Sequence, residues 1–313
     1  MKTKYVIAGL TLLAALLGVV DGRCSDSDLK RKIDSLFVIA SSGELRYQKL
    51  TEPAMDSIAA LGTEAVPILI DKFTTKSARE RWTIIWTLKR IGARAVPLLI
   101  DALRRTDGLV VERVCYSLGD IGDSGAVTAL IGVMEHSRWQ VRDEAATALG
   151  KIGDPRGREI VAQALSDSIG LVRKSAVVAT GKLRMQAAAS ELVHAMGDEF
   201  YGARLAAVDA LMQLDTLEVV KAVRDSIMSA NDFVGDLGCM LLGRLGTEEA
   251  VELLLTQIKS PDADRRAHAA LALIKADPED HCGYRRKLIE GEIDRFNRLK
   301  MQSALQSLTD ARK

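Results

Sequence analysis

Apolar and small residues recur along this chain at two periods, one of a single helix turn and one of a whole helical hairpin. A helix rich in Ala, Leu and Ile closes on an apolar residue plus a turn residue at Leu61-Gly62, Ile91-Gly92, Ile121-Gly122, Ile152-Gly153, Leu183-Arg184, Leu214-Asp215, Leu245-Gly246 and Ala276-Asp277. Successive endings stand 30 or 31 residues apart throughout. A period that regular marks stacked supersecondary units, none of which can bury its apolar face alone.

The unit from Asp123 to Gly153 shows what repeats. Ala126, Val127, Leu130, Ile131, Val133 and Met134 make the stripe of a first helix, and Glu135-His136-Ser137 breaks it. Val141, Ala145, Ala148, Leu149 and Ile152 then fall at helical spacing on a second helix. Gly153 supplies the positive φ that ends a helix, and Asp154 can open the next unit. Pro67 and Pro97 fall in the first turn of first helices, where a missing N–H costs nothing. Helices this short are marginal in water, so stacking must hold them.

Both ends depart from the pattern. Residues 23–60 read as an N-terminal helical cap carrying Leu29, Ile33, Leu36, Phe37, Leu50, Met55 and Ile58, broken at Ser41-Ser42-Gly43. Residues 278–313 read as a C-terminal capping segment with one long helix over 284–310. Leu288, Ile289, Ile293, Phe296, Leu299 and Leu305 form its apolar side; Arg285, Arg286, Lys287, Glu292 and Arg295 face outward. The prediction is an all-α fold, an α-α superhelical solenoid of about seven hairpins over 61–277 with a helical cap at each end.

Aligned by their endings, the units become columns. One column reads Arg81, Val111, Arg142, Arg173, Arg204, Gly235, Arg266, with Asp167 and Asp198 six residues before Arg173 and Arg204. A turn carboxylate and a helix guanidinium at that spacing can bond and tie turns together. The segment Val141–Gly153 nearly completes the core Val-Arg-x-x-Ala-x-x-Ala-Leu-Gly-x-Ile-Gly. The pattern resembles the short HEAT-like repeats of the phycobilisome-lyase type, over about 61–277. That resemblance implies a solenoid whose second helices line its concave side. Units ending at Gly122 and Gly246 lack the Arg and most lack the Asp, so no continuous Asp–Arg ladder is expected.

The same columns address chemistry. Cys115 and Cys239 share one with Ile85, Ala146, Val177, Val208 and Ala270. Every member is apolar, which predicts buried free thiols that pack as small hydrophobes. Cys24 and Cys282 stand at opposite ends of the array, too far apart to pair. No two of His136, His194, His268 and His281 stand four apart, and no His-Glu pair occurs. The sequence thus departs at every motif position from the deoxyhypusine hydroxylases, HEAT-like enzymes whose iron is held by repeated His-Glu pairs. Asp280-His281-Cys282 is a single local cluster, better read as a cap loop than as a metal site. Phosphate loops, nucleophile elbows and Cys-x-x-Cys pairs are absent. No catalytic residue, metal or cofactor is therefore predicted. Bilin lyases share the repeat, but a shared fold does not confer their activity.

Composition and the N-terminus set the location. Lys2 and Lys4 precede an apolar run, Tyr5–Val20, that is short for a membrane span and suits a secretory signal. Val20-Asp21-Gly22 places cleavage before Arg23, and Arg23 does not suit lipidation at Cys24. Without residues 1–22 the 43 basic and 42 acidic side chains become 41 of each, which leaves no general basic footprint for nucleic acid. The predicted setting is periplasmic or secreted, with anchoring by an uncleaved N-terminus as the lesser alternative.

Two further columns face outward. They read Trp86, Tyr116, Thr147, Val178, Asp209, Met240, Leu271 and Trp82, Glu112, Asp143, Lys174, Leu205, Asp236, Ala267. Trp82 and Trp86 share one helix face with Tyr116 beside them, the composition of a binding hot spot. Trp82, Trp86, Tyr116, Glu112, Asp143, Lys174, Asp209 and Asp236 are the candidate partner-binding residues. The competing reading buries both tryptophans beneath the N-terminal cap. The function expected is a non-catalytic protein-interaction or scaffold protein of the cell envelope. The alternative is an enzyme, or a lyase-like accessory subunit, that binds a small ligand in the same groove.

Overall fold

Hairpins follow one another as the periodicity predicts. The computed structural model describes residues 26–228, 231–276, 290–291 and 294–310. The export segment 1–22, Cys24, Leu288, Ile289, Ile293 and the Asp280-His281-Cys282 cluster lie outside the described residues. All regular structure among those described is helical. The fold class is that of an α-α solenoid, with hairpins stacked within each compact unit.

The chain separates into two compact units, one ending at Gly157 and one beginning at Arg158. In the first, α1 (Asp26–Ser41) and α2 (Thr51–Ala60) pack on each other at its start. Three hairpins follow: α3 (Ala65–Asp71) with α4 (Ala78–Ile91), α5 (Val96–Ala102) with α6 (Gly108–Ile121), and α7 (Val127–Gly132) with α8 (Trp139–Ile152). The second unit pairs α9 (Arg158–Ala164) with α10 (Gly170–Lys182) and α11 (Ala189–Ala195) with α12 (Tyr201–Leu211). It continues with α13 (Thr216–Ser226) and α14 (Asp232–Leu245), then α15 (Glu248–Gln257) and α16 (Ala263–Ala276), and ends in α17 (Arg295–Asp310).

Endings behave as their chemistry requires. Gly153 closes α8 at φ 76°, in the left-handed region. Arg184 takes the same kind of position at φ 46°, where a side chain is strained. Asp215 instead caps α13, its carboxylate accepting from Leu217 N at 3.0 Å. At the C-terminus one expectation fails: the helix does not run unbroken from 284. Asp294 is non-helical and accepts from Asn297 N at 2.8 Å, so a separate helix starts at Arg295. Met301 and Asn297 dock that helix, and Leu299, expected on its apolar side, is exposed.

The packing column holds. Ile85, Cys115, Ala146, Val177, Val208, Cys239 and Ala270 are all at most 3% exposed. Cys115 and Cys239 are free, and burial pushes the Cys239 thiol up to about 12 and that of Cys115 higher still. The arginine column bonds mainly to backbone carbonyls of its own turns. Arg142, Arg173, Arg204 and Arg266 each donate to the backbone carbonyl six residues back, that of His136, Asp167, Asp198 and Ser260, at 2.8 to 3.0 Å. One carboxylate rung exists as well: Arg173 forks onto Asp198 with two 2.7 Å bonds.

Candidate functional site

Helix spacing sets the site. Gly119 on α6 faces Ala148 on α8 so closely that a Cβ there would stand 2.7 Å from the Ala148 Cα. The equivalent position on α4 is Lys89, which cannot be buried this way and instead reaches Asp120 at 3.0 Å. α6 accordingly packs far more intimately on α8 than on α4. A cleft of about 260 Å³ opens along α4, α6 and α8, lined by Arg81, Trp82 and Ile85, by Glu112, Arg113 and Tyr116, and by Glu144.

An aromatic lip borders it. Ser77 caps α4, its hydroxyl accepting from Glu80 N at 3.3 Å. Inward-facing Thr83 and Thr87 are buried, and the Thr83 hydroxyl reaches Ala40 O of α1 at 3.4 Å. Helical geometry then turns Trp82 and Trp86 outward, where they are 37% and 47% exposed. The reading that puts them beneath the cap is therefore wrong: the threonines, with Ile84 and Leu88, occupy the buried side. The two indoles stack at 6.0 Å with planes 28° apart, and Tyr116 meets Trp82 edge-on at 5.6 Å. Lys151 lies 4.2 Å above the Tyr116 ring while also approaching Asp120 at 3.6 Å.

Charge is divided along the cleft. Arg113 is 8% exposed and donates to Thr75 O at 2.8 Å and to Phe73 O. Burial, then the neighbouring Arg81, lowers its pKa. Glu112 pairs with Arg138 at 3.3 Å. Glu144 is pushed up to about 7, first by burial, then by Asp143 and Glu112, with Lys151 opposing.

Of the candidates read from sequence, Trp82, Trp86, Tyr116 and Glu112 come together here, and Asp143 stands next to Glu144 on α8. The others lie in the second unit. Lys174 and Asp209 line a separate cleft of about 440 Å³ with Tyr201 and Leu205. Asp236 sits 3.1 Å from His268 instead, raising the imidazole pKa against the effect of burial. Another cleft, about 810 Å³, is lined from α9, α11 and nearby turns, but its central charges, Arg173 and Asp198, already satisfy each other. Arg113 and Glu144 were not singled out from sequence. The available signal was a column in which both stand nine residues before their unit ending, among Thr83, Ser175 and Ala206. Among the described residues no three His, Cys, Asp or Glu side chains converge to hold a metal.

Fold and site together define a helical-repeat protein with an exposed aromatic surface. Residues 96–179 match the model for HEAT repeats, and residues 80–105 match that for the PBS lyase HEAT-like repeat. The repeats over these residues are HEAT-like. No curated protein sequence matches it. Among solved structures it is similar to YibA of Escherichia coli, at 16% identity and TM-score 0.50 over 85% of this chain and 98% of that one. It is similar to human deoxyhypusine hydroxylase in complex with glycerol at 22% identity and TM-score 0.35, over 84% and 98%. The CpcE–CpcF complex of phycocyanin lyase from Nostoc sp. PCC7120 gives 17% and 0.41, over 78% and 94%. At these identities the likeness concerns fold alone.

Proposed function

We propose that this protein is a non-catalytic interaction or scaffold protein of the cell envelope that receives a partner protein on the second-helix face of its first unit. The observation that carries the reading is the exposed pair Trp82 and Trp86, with partly buried Tyr116 against them, at the lip of a cleft. Stacked, half-exposed indoles held by a tyrosine offer large contact area at little entropic cost, the usual make-up of an interface hot spot. HEAT repeats in general mediate protein interactions, which agrees with such a surface. A cleft of about 260 Å³ is below the usual range of about 300–1,000 Å³ for small-molecule sites and suits an inserted side chain. The envelope setting rests on Lys2, Lys4 and the Tyr5–Val20 run.

A photo-crosslinking amino acid placed at position 86, and separately at 116, tests the reading. Both positions should yield one adduct of the same mass in cells, and position 94, which projects from the turn before α5, should not. Adducts at 94 alone would move the interface elsewhere.

A further inference from the structure

We propose, resting on the reading of this face as a partner site, that Arg81 grips a carboxylate side chain of that partner in the cleft beside Trp82.

The argument starts from the arginine column. Arg142, Arg173, Arg204 and Arg266 are each consumed by the carbonyl six residues back. Arg81 occupies the same register, and its corresponding carbonyl is that of Thr75. That oxygen is already taken at 2.8 Å by Arg113, which reaches across from the next repeat and also holds Phe73 O. Arg81 therefore has no hydrogen-bond or ion-pair partner among the described residues, yet it is half-buried and lines the cleft. In the second unit the column has Gly235 instead, and the Arg265 guanidinium fills the space beside it and bonds Ile227 O at 2.7 Å. No arginine is left over there. At Arg81 one guanidinium is surplus to structure.

Its surroundings select the ligand. Arg113 and Arg81 are close enough for the charge of one to depress the pKa of the other, so this end of the cleft is positive. A planar guanidinium matches a carboxylate in a two-bond fork and can lie against an indole face while doing so. At the other end Glu112 is occupied by Arg138. Glu144, faced by Asp143, Glu112 and Lys151, is about half protonated at neutral pH and repels an incoming anion correspondingly less. The cleft volume admits one Asp or Glu side chain.

The test uses the full mature chain on an array of immobilised peptides varied at one Asp or Glu, with Asn or Gln, Lys or Arg, and phosphoserine versions of each. Wild type should prefer the acidic peptides. Arg81→Gln should weaken binding to them about tenfold, with the amide peptides unaffected, and Arg81→Glu should shift preference to the basic ones. An unchanged denaturation midpoint for Arg81→Gln certifies its fold. Preference for basic or only phosphorylated peptides, or indifference to Arg81→Gln in binding that still needs Trp82 and Trp86, overturns the role of Arg81 alone. Binding that ignores a Trp82→Ala/Trp86→Ala variant overturns the face reading, and this inference with it.

Discussion

At the scale of single residues, the sequence shows what a position can do but not which neighbour reaches it first. The arginine column was readable, and so was the capacity of Arg173 to pair with a turn carboxylate. That Arg113 displaces Arg81 depends on side-chain reach across a turn, which no spacing encodes. Glu144 was hidden for a related reason: its pKa comes from burial between helices of different repeats. A carboxyl held above its ordinary value costs nothing at low pH, where both states are protonated. The cost grows as pH climbs from about 4.5 to about 7 and is fully present above that. Glu144→Gln should therefore stabilise the protein by roughly 1–3 kcal/mol at pH 8, with the gain gone by pH 4. Urea midpoints across that range check the sign. Arg184 offers a second case. It stands in the left-handed conformation that glycine fills at Gly153, so Arg184→Gly should add up to about 1 kcal/mol, read as a raised midpoint.

At the scale of helices, small residues decide how closely neighbours approach. Gly119, Gly181 and Gly243 share one column, and a Cβ on each would stand within 3 Å of Ala148, Ala210 or Ala272. Where that column holds Lys89 or Met212, the next second helix packs loosely. The cleft beside Trp82 lies where that column holds Lys89. The helices and their small residues were legible in the sequence, but the three-dimensional pairing of the glycine column with the alanine column was not. Gly119→Val should part α6 from α8 and cost about 3 kcal/mol. Gly132→Ala, at the end of α7 where a Cβ meets nothing within 4 Å, should be neutral or gain up to about 1 kcal/mol. Comparing the two by denaturation separates close approach from helix propensity.

At the scale of the whole molecule, repetition made the architecture readable: a 30- or 31-residue period leaves few alternatives to stacked hairpins. Function was less readable, because one repeat face serves many partners and only departures from the repeat mark a site. Trp82, Trp86 and the released Arg81 are such departures, all on α4. The export reading makes its own prediction, that mature protein recovered from outside the cytoplasm begins at Arg23. The most direct test of the account is partner capture by the Trp82→Ala/Trp86→Ala/Tyr116→Ala variant, compared with wild type at equal folded concentration. Half-exposed rings should cost about 1 kcal/mol each, against roughly 3–5 kcal/mol for buried aromatics, so the variant stays folded. The account predicts loss of the crosslinked partner with helical circular dichroism retained. Undiminished capture by a folded triple variant would contradict it.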